Sequence, residues 1–249
     1  MNAENVNINV PDGKDRVEVV IREVDKVVES QLPVQEPEQL SIAGNITSIF
    51  NFLEKRWFAA DNQIDHSRTH IKVNRDEMSM CLVANETDKR NQKVVRGQIN
   101  LSRQYKAFGI NTKEWTPEEL GNFFRINRTY FDSKEINMSL VTLLKSFKAK
   151  INVSVERLQK DNGSLTDNYR QAVDSNLPEK FFVNIPIFKG TAPEHIEIEV
   201  VASVNGRDVY LTLISPDAAA IEEDVRDKMI DAELDKIRTI APEIPIIEI

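Results

Sequence analysis

Cysteine, histidine and long apolar runs are scarce in this chain of 249 residues. The single cysteine, Cys81, excludes an intrachain disulfide and fits a reducing compartment. No window approaches eighteen consecutive apolar residues, which excludes a membrane-spanning helix. The first residues, MNAENVNINVPDGKD, lack the basic and then apolar pattern of a signal peptide. We therefore expect a soluble cytoplasmic protein without a membrane partner.

The motifs of the common enzyme classes are missing as well. The chain has no glycine-rich phosphate loop and no G-x-S-x-G motif around a serine nucleophile. His66 and His70 have the i, i+4 spacing of a zinc-binding helix, but their segment lacks helical periodicity and a cysteine partner. His195 is interpreted as a surface residue and Cys81 as a core residue in an apolar strand. We predict a non-enzymatic protein with no catalytic residue, metal site or cofactor.

Charge is abundant but unevenly distributed along the chain. The formal net charge of −8 divides into −7 for residues 1–88, +9 for residues 89–160 and −10 for residues 161–249. A basic middle between acidic flanks indicates an anionic partner, or segments that attract one another within or between subunits. Solvated surface charges that happen to cluster would produce the same pattern.

Hydrophobic periodicity predicts three helices and three strands over residues 45–149. Amphipathic helices are predicted at residues 45–59, 115–128 and 133–149. Short strands are predicted at residues 69–74, 78–85 and 92–102. The clearest helix start is at Thr116, whose side chain can accept from the Glu119 amide while Glu119 reaches back. Pro117 occupies the first turn, where its missing amide hydrogen costs nothing.

The C-terminal half is predicted to be rich in β-hairpins. Residues 150–173 are interpreted as one hairpin around Asn162–Gly163, and residues 195–215 as another around Asn205–Gly206, because Asn-Gly suits a tight primed turn. The strand at 181–188 lies between them and contains Pro186, which indicates an edge strand, a bulge or a bend. We expect these strands to form an antiparallel meander.

A helix and an apolar tail complete the predicted fold. The helix spans residues 216–238, and the tail, PEIPIIEI, either docks as a last strand or pairs with another subunit. Residues 1–40 are interpreted as an N-terminal arm with a proline linker, and residues 41–249 as a single domain. The predicted fold class is therefore α+β, with helices packed on an antiparallel sheet.

The order of these motifs resembles the YfdQ-like family of bacteriophage and prophage proteins, whose domain has no assigned function. The resemblance covers most of the chain, except for residues 61–113, and rests on an ordered series of segments. These are VPDG, LSIAGNITSIFNFLEKR, EWTPEELGNFF, LVTLLKSFKAKINVSVERLQKDNGSLTDNYRQ, LPEKFFVNIPIFKG and VNGRDVYLTLISP. The resemblance implies a phage or prophage origin and a bacterial host, and it brings no catalytic residue to this chain.

Nucleic-acid binding is the sharpest functional hypothesis for the basic middle segment. Cations beside aromatic rings can neutralise phosphates and stack on the bases of a single strand. Arg96 and Gln98 should face solvent on their strand, while Val95 and Ile99 face inward. The residues predicted to bind are Lys93, Arg96, Arg103 and Lys106, with Tyr105 as the stacking candidate. The alternative is that these cations pair with the acidic helix at 217–235, in the same or a neighbouring subunit.

Assembly is the other class of function that the sequence indicates. The two apolar ends need cover, and acidic ends could meet a basic middle in a neighbouring copy. We therefore expect a homo-oligomeric, non-enzymatic phage accessory protein that acts on nucleic acid or on a host factor that handles it. The alternative is a protein-interaction or structural assembly protein, such as a host-defence inhibitor, without nucleic-acid binding.

Overall fold

Two β-sheets with packed helices form the part of the chain that the structure, a computed structural model, describes. This part comprises residues 39–59, 64–159, 180–205 and 208–249, with residues 167, 172, 176 and 178. It belongs to one compact unit, Glu38–Ile249. The predicted arm at residues 1–40 lies outside the described residues except for its last two, and so do Asn162, Gly163 and Gly206. The predicted α+β fold class is confirmed.

The first sheet has five strands in the order β1–β4–β3–β2–β9. The strands are β1 (Leu40–Asn45), β2 (His70–Asn74), β3 (Ser79–Ala84), β4 (Lys93–Gln98) and β9 (Ile246–Glu248). β2, β3 and β4 form an antiparallel meander, whereas β1 is parallel to β4 and β9 is parallel to β2. The C-terminal tail therefore docks as a last strand, which confirms the first of its two predicted placements.

One face of this sheet packs against helix α1 (Ser48–Arg56), and α1 in turn packs against helix α5 (Ala218–Ile240). Its alternating apolar residues, among them Ile71, Leu82 and Val95, are fully buried. The link from β1 to α1 crosses β4 at Gly97, where a Cβ atom would lie 2.9 Å from the Asn45 carbonyl oxygen. Only glycine allows the backbones to approach this closely, so Gly97 sets the crossing point.

The second sheet is antiparallel, with four strands in the order β5–β8–β7–β6. They are β5 (Glu114–Trp115), β6 (Lys180–Ile185), β7 (Glu194–Asn205) and β8 (Asp208–Ile214). β6, β7 and β8 form an antiparallel meander, which confirms the prediction for residues 181–215, and the β7–β8 hairpin places Asn205 opposite Asp208. β6 is an edge strand, and Pro186 follows its last residue, where no ladder bond is lost.

Three further helices are present: α2 (Arg103–Phe108) follows β4, and α3 (Pro117–Ile126) and α4 (Lys134–Gln159) lie between β5 and β6 in the sequence. The capping box predicted at the start of α3 is present in full, with Thr116 and Glu119 each accepting from the other's backbone amide. α3 packs on α4, and an aromatic cluster joins α3 to β6 through Phe124 and Phe181, whose rings are 5.4 Å apart. The stretch at 181–188 is thus part of the core.

The predicted hairpin at 150–173 is wrong, because α4 continues to Gln159 and because Asp167 and Ala172, which lie in the predicted second strand, are helical. Ile151 and Val155 suggested the alternation of a strand, but they also continue the helical spacing set by Leu144 and Phe147. All four side chains are buried, so the apolar stripe of the helix extends beyond its predicted end. None of the helices in the described ranges is long and apolar enough to span a membrane.

Candidate nucleic-acid interface

Strand β4 places Lys93 and Arg96 on opposite faces of the first sheet. The predicted alternation is confirmed, since Arg96 and Gln98 are exposed while Val95 and Ile99 are buried. Lys93 is buried on the side of α1, where its Nζ donates to the Asn91 Oδ1 at 2.7 Å. This burial lowers the pKa of Lys93, and the nearby charge of Arg56 adds to the effect. Lys93 is therefore not available beside Arg96.

Helix α2, which the sequence did not predict, carries the other candidates. Ser102 caps it by accepting from the Tyr105 amide at 2.9 Å, and Gly109 ends it in the left-handed conformation at φ 59°. Arg103 and Lys106 are three positions apart and both are exposed, so they share one side of the helix. The structure thus presents these two cations together, on a different element from Arg96.

Tyr105 is held against the protein instead of being displayed to solvent. Its ring is half-buried against the core, and its hydroxyl donates to Glu222 Oε2 of α5 at 3.3 Å. Burial, reinforced by the charge of Glu222, raises the pKa of Tyr105 to about 12. The neighbouring Phe108 is fully buried. These environments favour a packing role for both rings, and for Tyr105 they argue against the predicted stacking on bases.

A cation that the sequence hypothesis missed lies on the same face as Arg96. In the first sheet, Cys81 of β3 is directly opposite Lys72 of β2 on one side and Arg96 of β4 on the other. Side chains opposite one another on neighbouring strands lie about 5 Å apart. Lys72 and Arg96 are exposed and Cys81 is half-buried, which corrects its assignment to the core. We call this surface, which faces away from α1, the open face.

Arginines in different parts of the chain differ in their partners. Arg75 contacts Asp231, Glu248 and Asp227 at 2.8, 2.9 and 3.2 Å, and the arginines of α5 also form ion pairs. Within the described part of the chain, no ion pair involves the arginines at positions 90, 96, 103, 125 and 128. The predicted pairing of Arg96 and Arg103 with the acidic helix of their own subunit is therefore not present.

The three histidines each face a carboxylate and do not converge. The pairs are His66–Glu243 at 3.4 Å, His70–Glu86 at 2.8 Å and His195–Asp132 at 3.2 Å. His66 is also stacked on Trp57, with ring centroids 3.7 Å apart. Among the residues that the structure describes, no group of three or more His, Cys, Asp or Glu side chains could hold a metal ion.

A groove of about 630 Å³ opens between α3, α4 and the start of β8. Its floor is apolar, with Phe147 and Ile151, and its polar residues include Glu118, Lys145 and Asp208. None of the predicted site residues lines it. Because charges of both signs surround the groove, it does not select for an anion.

Comparisons with known proteins add no template for this surface. No protein-family model, curated protein or solved structure matches the chain. The YfdQ-like resemblance therefore stays a prediction from the order of motifs. The function has to be inferred from the position and the partners of the cations.

Proposed function

We propose that this is a non-enzymatic, homo-oligomeric accessory protein of a phage or prophage that binds nucleic acid through backbone phosphates. The observation that carries the proposal is the contrast between arginines. Those between residues 90 and 128 are without a carboxylate partner in the described chain, whereas Arg75 and the arginines of α5 are paired. An unpaired guanidinium is suited to the geometry of a phosphate, which it can bind with two parallel hydrogen bonds.

The packing of Tyr105 and Phe108 narrows the expected mode of binding. Since neither ring is displayed as a stacking platform, the cations Arg96, Arg103 and Lys106 have to provide the affinity. Phosphate contacts position a protein on nucleic acid without reading its sequence. We therefore expect sequence-independent binding whose affinity falls steeply with salt.

Fluorescence anisotropy with labelled single-stranded and duplex DNA, at several salt concentrations, tests the proposal. Replacing Arg96 and Arg103 together by Gln should weaken binding and reduce the salt slope by about 1.4 on single strands, at roughly 0.7 per phosphate contact. The matched control replaces Lys228 and Arg238 in the same way. It removes two positive charges as well, but from side chains that are paired with Asp224 and Asp235. Equal losses in both double variants, or no binding at low salt, would contradict the proposal.

A protein-interaction role is the second candidate, and a separate surface favours it. Ile126 at the end of α3 and Met138 near the start of α4 are 81% and 68% exposed. The two helix ends are joined by a hydrogen bond from Asn137 to the Phe124 carbonyl at 3.0 Å. Large exposed apolar side chains beside the unpaired Arg125 would suit an acidic protein partner. Here the variant with Ile126 and Met138 replaced by Ser should lose a partner without losing DNA affinity.

A further inference from the structure

Edge strands of β-sheets carry unpaired backbone groups, and proteins usually protect them. In the described part of the chain, three of the four edges have such protection. β5 has only two residues and β9 only three. β6 carries Lys180, is bridged by Phe131 at Val183 and is followed by Pro186. These three strands are poor templates for another chain.

β1 is the exception among the four edges. It has six residues, LSIAGN, with no charge and no proline, and all but Leu40 and Ile42 are exposed. Within the described residues it pairs on one side only, in parallel with β4. A regular, uncharged and exposed edge of this length can accept a further strand.

The hydrogen bonding of β1 shows which of its groups face outward. The Leu40 amide donates to the Gln92 carbonyl at 3.2 Å, so it points towards β4. Because backbone groups alternate sides along a strand, Ile42 also points towards β4, whereas the amides and carbonyls of Ser41 and Ala43 point away from the sheet. Ser41 and Ala43 are therefore ready to bond to another strand.

We propose that β1 is the surface through which two copies of this chain associate, by antiparallel pairing of β1 with itself across a two-fold axis. A strand can pair with its own copy only if opposing side chains are compatible, and β1 places no charge opposite itself. The register must be centred on a residue, because any other register would bring residues of opposite faces together. The strand ends at Asn45, whose carbonyl oxygen and the following Ile46 lie over Gly97, and a register centred on Ile42 pairs residues 40–44 with their copies and leaves this crossing outside the paired segment.

This register makes definite pairs. Ser41 lies opposite the partner's Ala43 as a hydrogen-bonded pair, and Ile42 lies opposite its own copy as a non-hydrogen-bonded pair. The two sheets become one, and the open face with Lys72 and Arg96 continues from one copy into the other. That the joined face binds phosphates rests on the proposed function. The dimer itself can be tested without any anion.

The first test removes the outward donor of the edge. Ala43→Pro should leave the β1–β4 ladder intact, because the Ala43 amide points away from β4. Ala43→Thr keeps the amide and is the matched control. Light scattering coupled to gel filtration should give a dimer mass for the wild type and for Ala43→Thr, and half that mass for Ala43→Pro. A monomeric wild type, or a dimer in all three, would overturn the proposal.

A cross-link tests the register and remains decisive if the proline variant does not fold. In a Cys81→Ser background, Ile42→Cys should form a disulfide-linked dimer on mild oxidation. Opposite Cα atoms in a non-hydrogen-bonded pair are about 4.5 Å apart, within the range of a disulfide. Ser41→Cys in the same background should stay reduced, since its copy is displaced along the strand. Absence of the cross-link in the Ile42→Cys variant, or equal cross-linking at both positions, would refute this register. DNA affinity is not needed for either result.

Discussion

Replacing Arg75 by Met should measurably destabilise the protein near neutral pH. Arg75 lies in the turn between β2 and β3, is 25% exposed, and contacts Asp227 and Asp231 of α5 and Glu248 of β9. The guanidinium bonds both oxygens of Glu248, at 2.9 and 3.2 Å, so one side chain joins three elements. These carboxylates raise the pKa of Arg75 further, and it stays charged at any pH of interest.

The magnitude follows from the exposure of the partners. Exposed ion pairs contribute about 0.2–1 kcal/mol each, and the three carboxylates share one cation and remain 41–57% exposed. We therefore expect Arg75→Met to lower the free energy of unfolding by about 1–2 kcal/mol. For a chain of this length that corresponds to a fall in Tm of roughly 3–6 °C. Lys228→Met is the control, because Lys228 pairs with the exposed Asp224 on its own helix, and its Tm should scarcely change.

The pH dependence separates an electrostatic role of Arg75 from loss of packing. The Arg75 guanidinium is the main cause of the lowered pKa of Glu248, and it adds to the larger effect of Arg226 in lowering the pKa of Asp227. A carboxylate whose pKa is lower in the folded than in the unfolded protein stabilises the folded state at any pH above its unfolded pKa, which is about 4. This stabilisation is lost as the pH falls through the pKa of the folded state. The difference in Tm between wild type and Arg75→Met should therefore shrink below about pH 4. A difference that is unchanged at pH 3, or absent at pH 7, would refute the reasoning.

Two further substitutions test the fold. Gly97→Ala should cost about 1–3 kcal/mol in urea unfolding, because its Cβ would meet the backbone of Asn45 and Ile46 at 2.9–3.1 Å; an unchanged midpoint would contradict this close crossing. Thr116→Ala should lower the free energy of unfolding by about 1 kcal/mol in the same assay, because it removes the N-cap of α3. Thr116→Ser keeps the capping hydroxyl and should retain most of this stability. Equal losses in the two variants would rule out a capping role.

The features that the sequence predicts well are local. The capping box at Thr116 and the alternation around Arg96 each depend on a few neighbouring residues, and both are present. The apolar residues at 150–159 fit both the two-residue period of a strand and the 3.6-residue period of a helix. Packing against the core stabilises the helix.

The candidate site depends more on contacts between distant segments. Lys93 lies two residues before Val95 on β4, so strand alternation places both side chains on the same, inward face. The charge of Lys93 had favoured a position at the surface. The tether of Tyr105 to Glu222 and the position of Lys72 beside Cys81 depend on tertiary packing and strand register. No local pattern contains that information, and a single sequence therefore does not reveal it.

The docking of β9 on β2 has a consequence for synthesis on the ribosome. Ile71 and Ile246 are neighbours in the sheet, although most of the chain separates them. The β2–β3–β4 meander can form while the chain is still being translated, but β2 keeps a bare edge until residue 246 has left the exit tunnel. Contacts that close such long loops form late. A stalled or slowly translated chain would therefore expose β2 to other nascent chains, and its folding yield should depend on chaperones that cover strand edges.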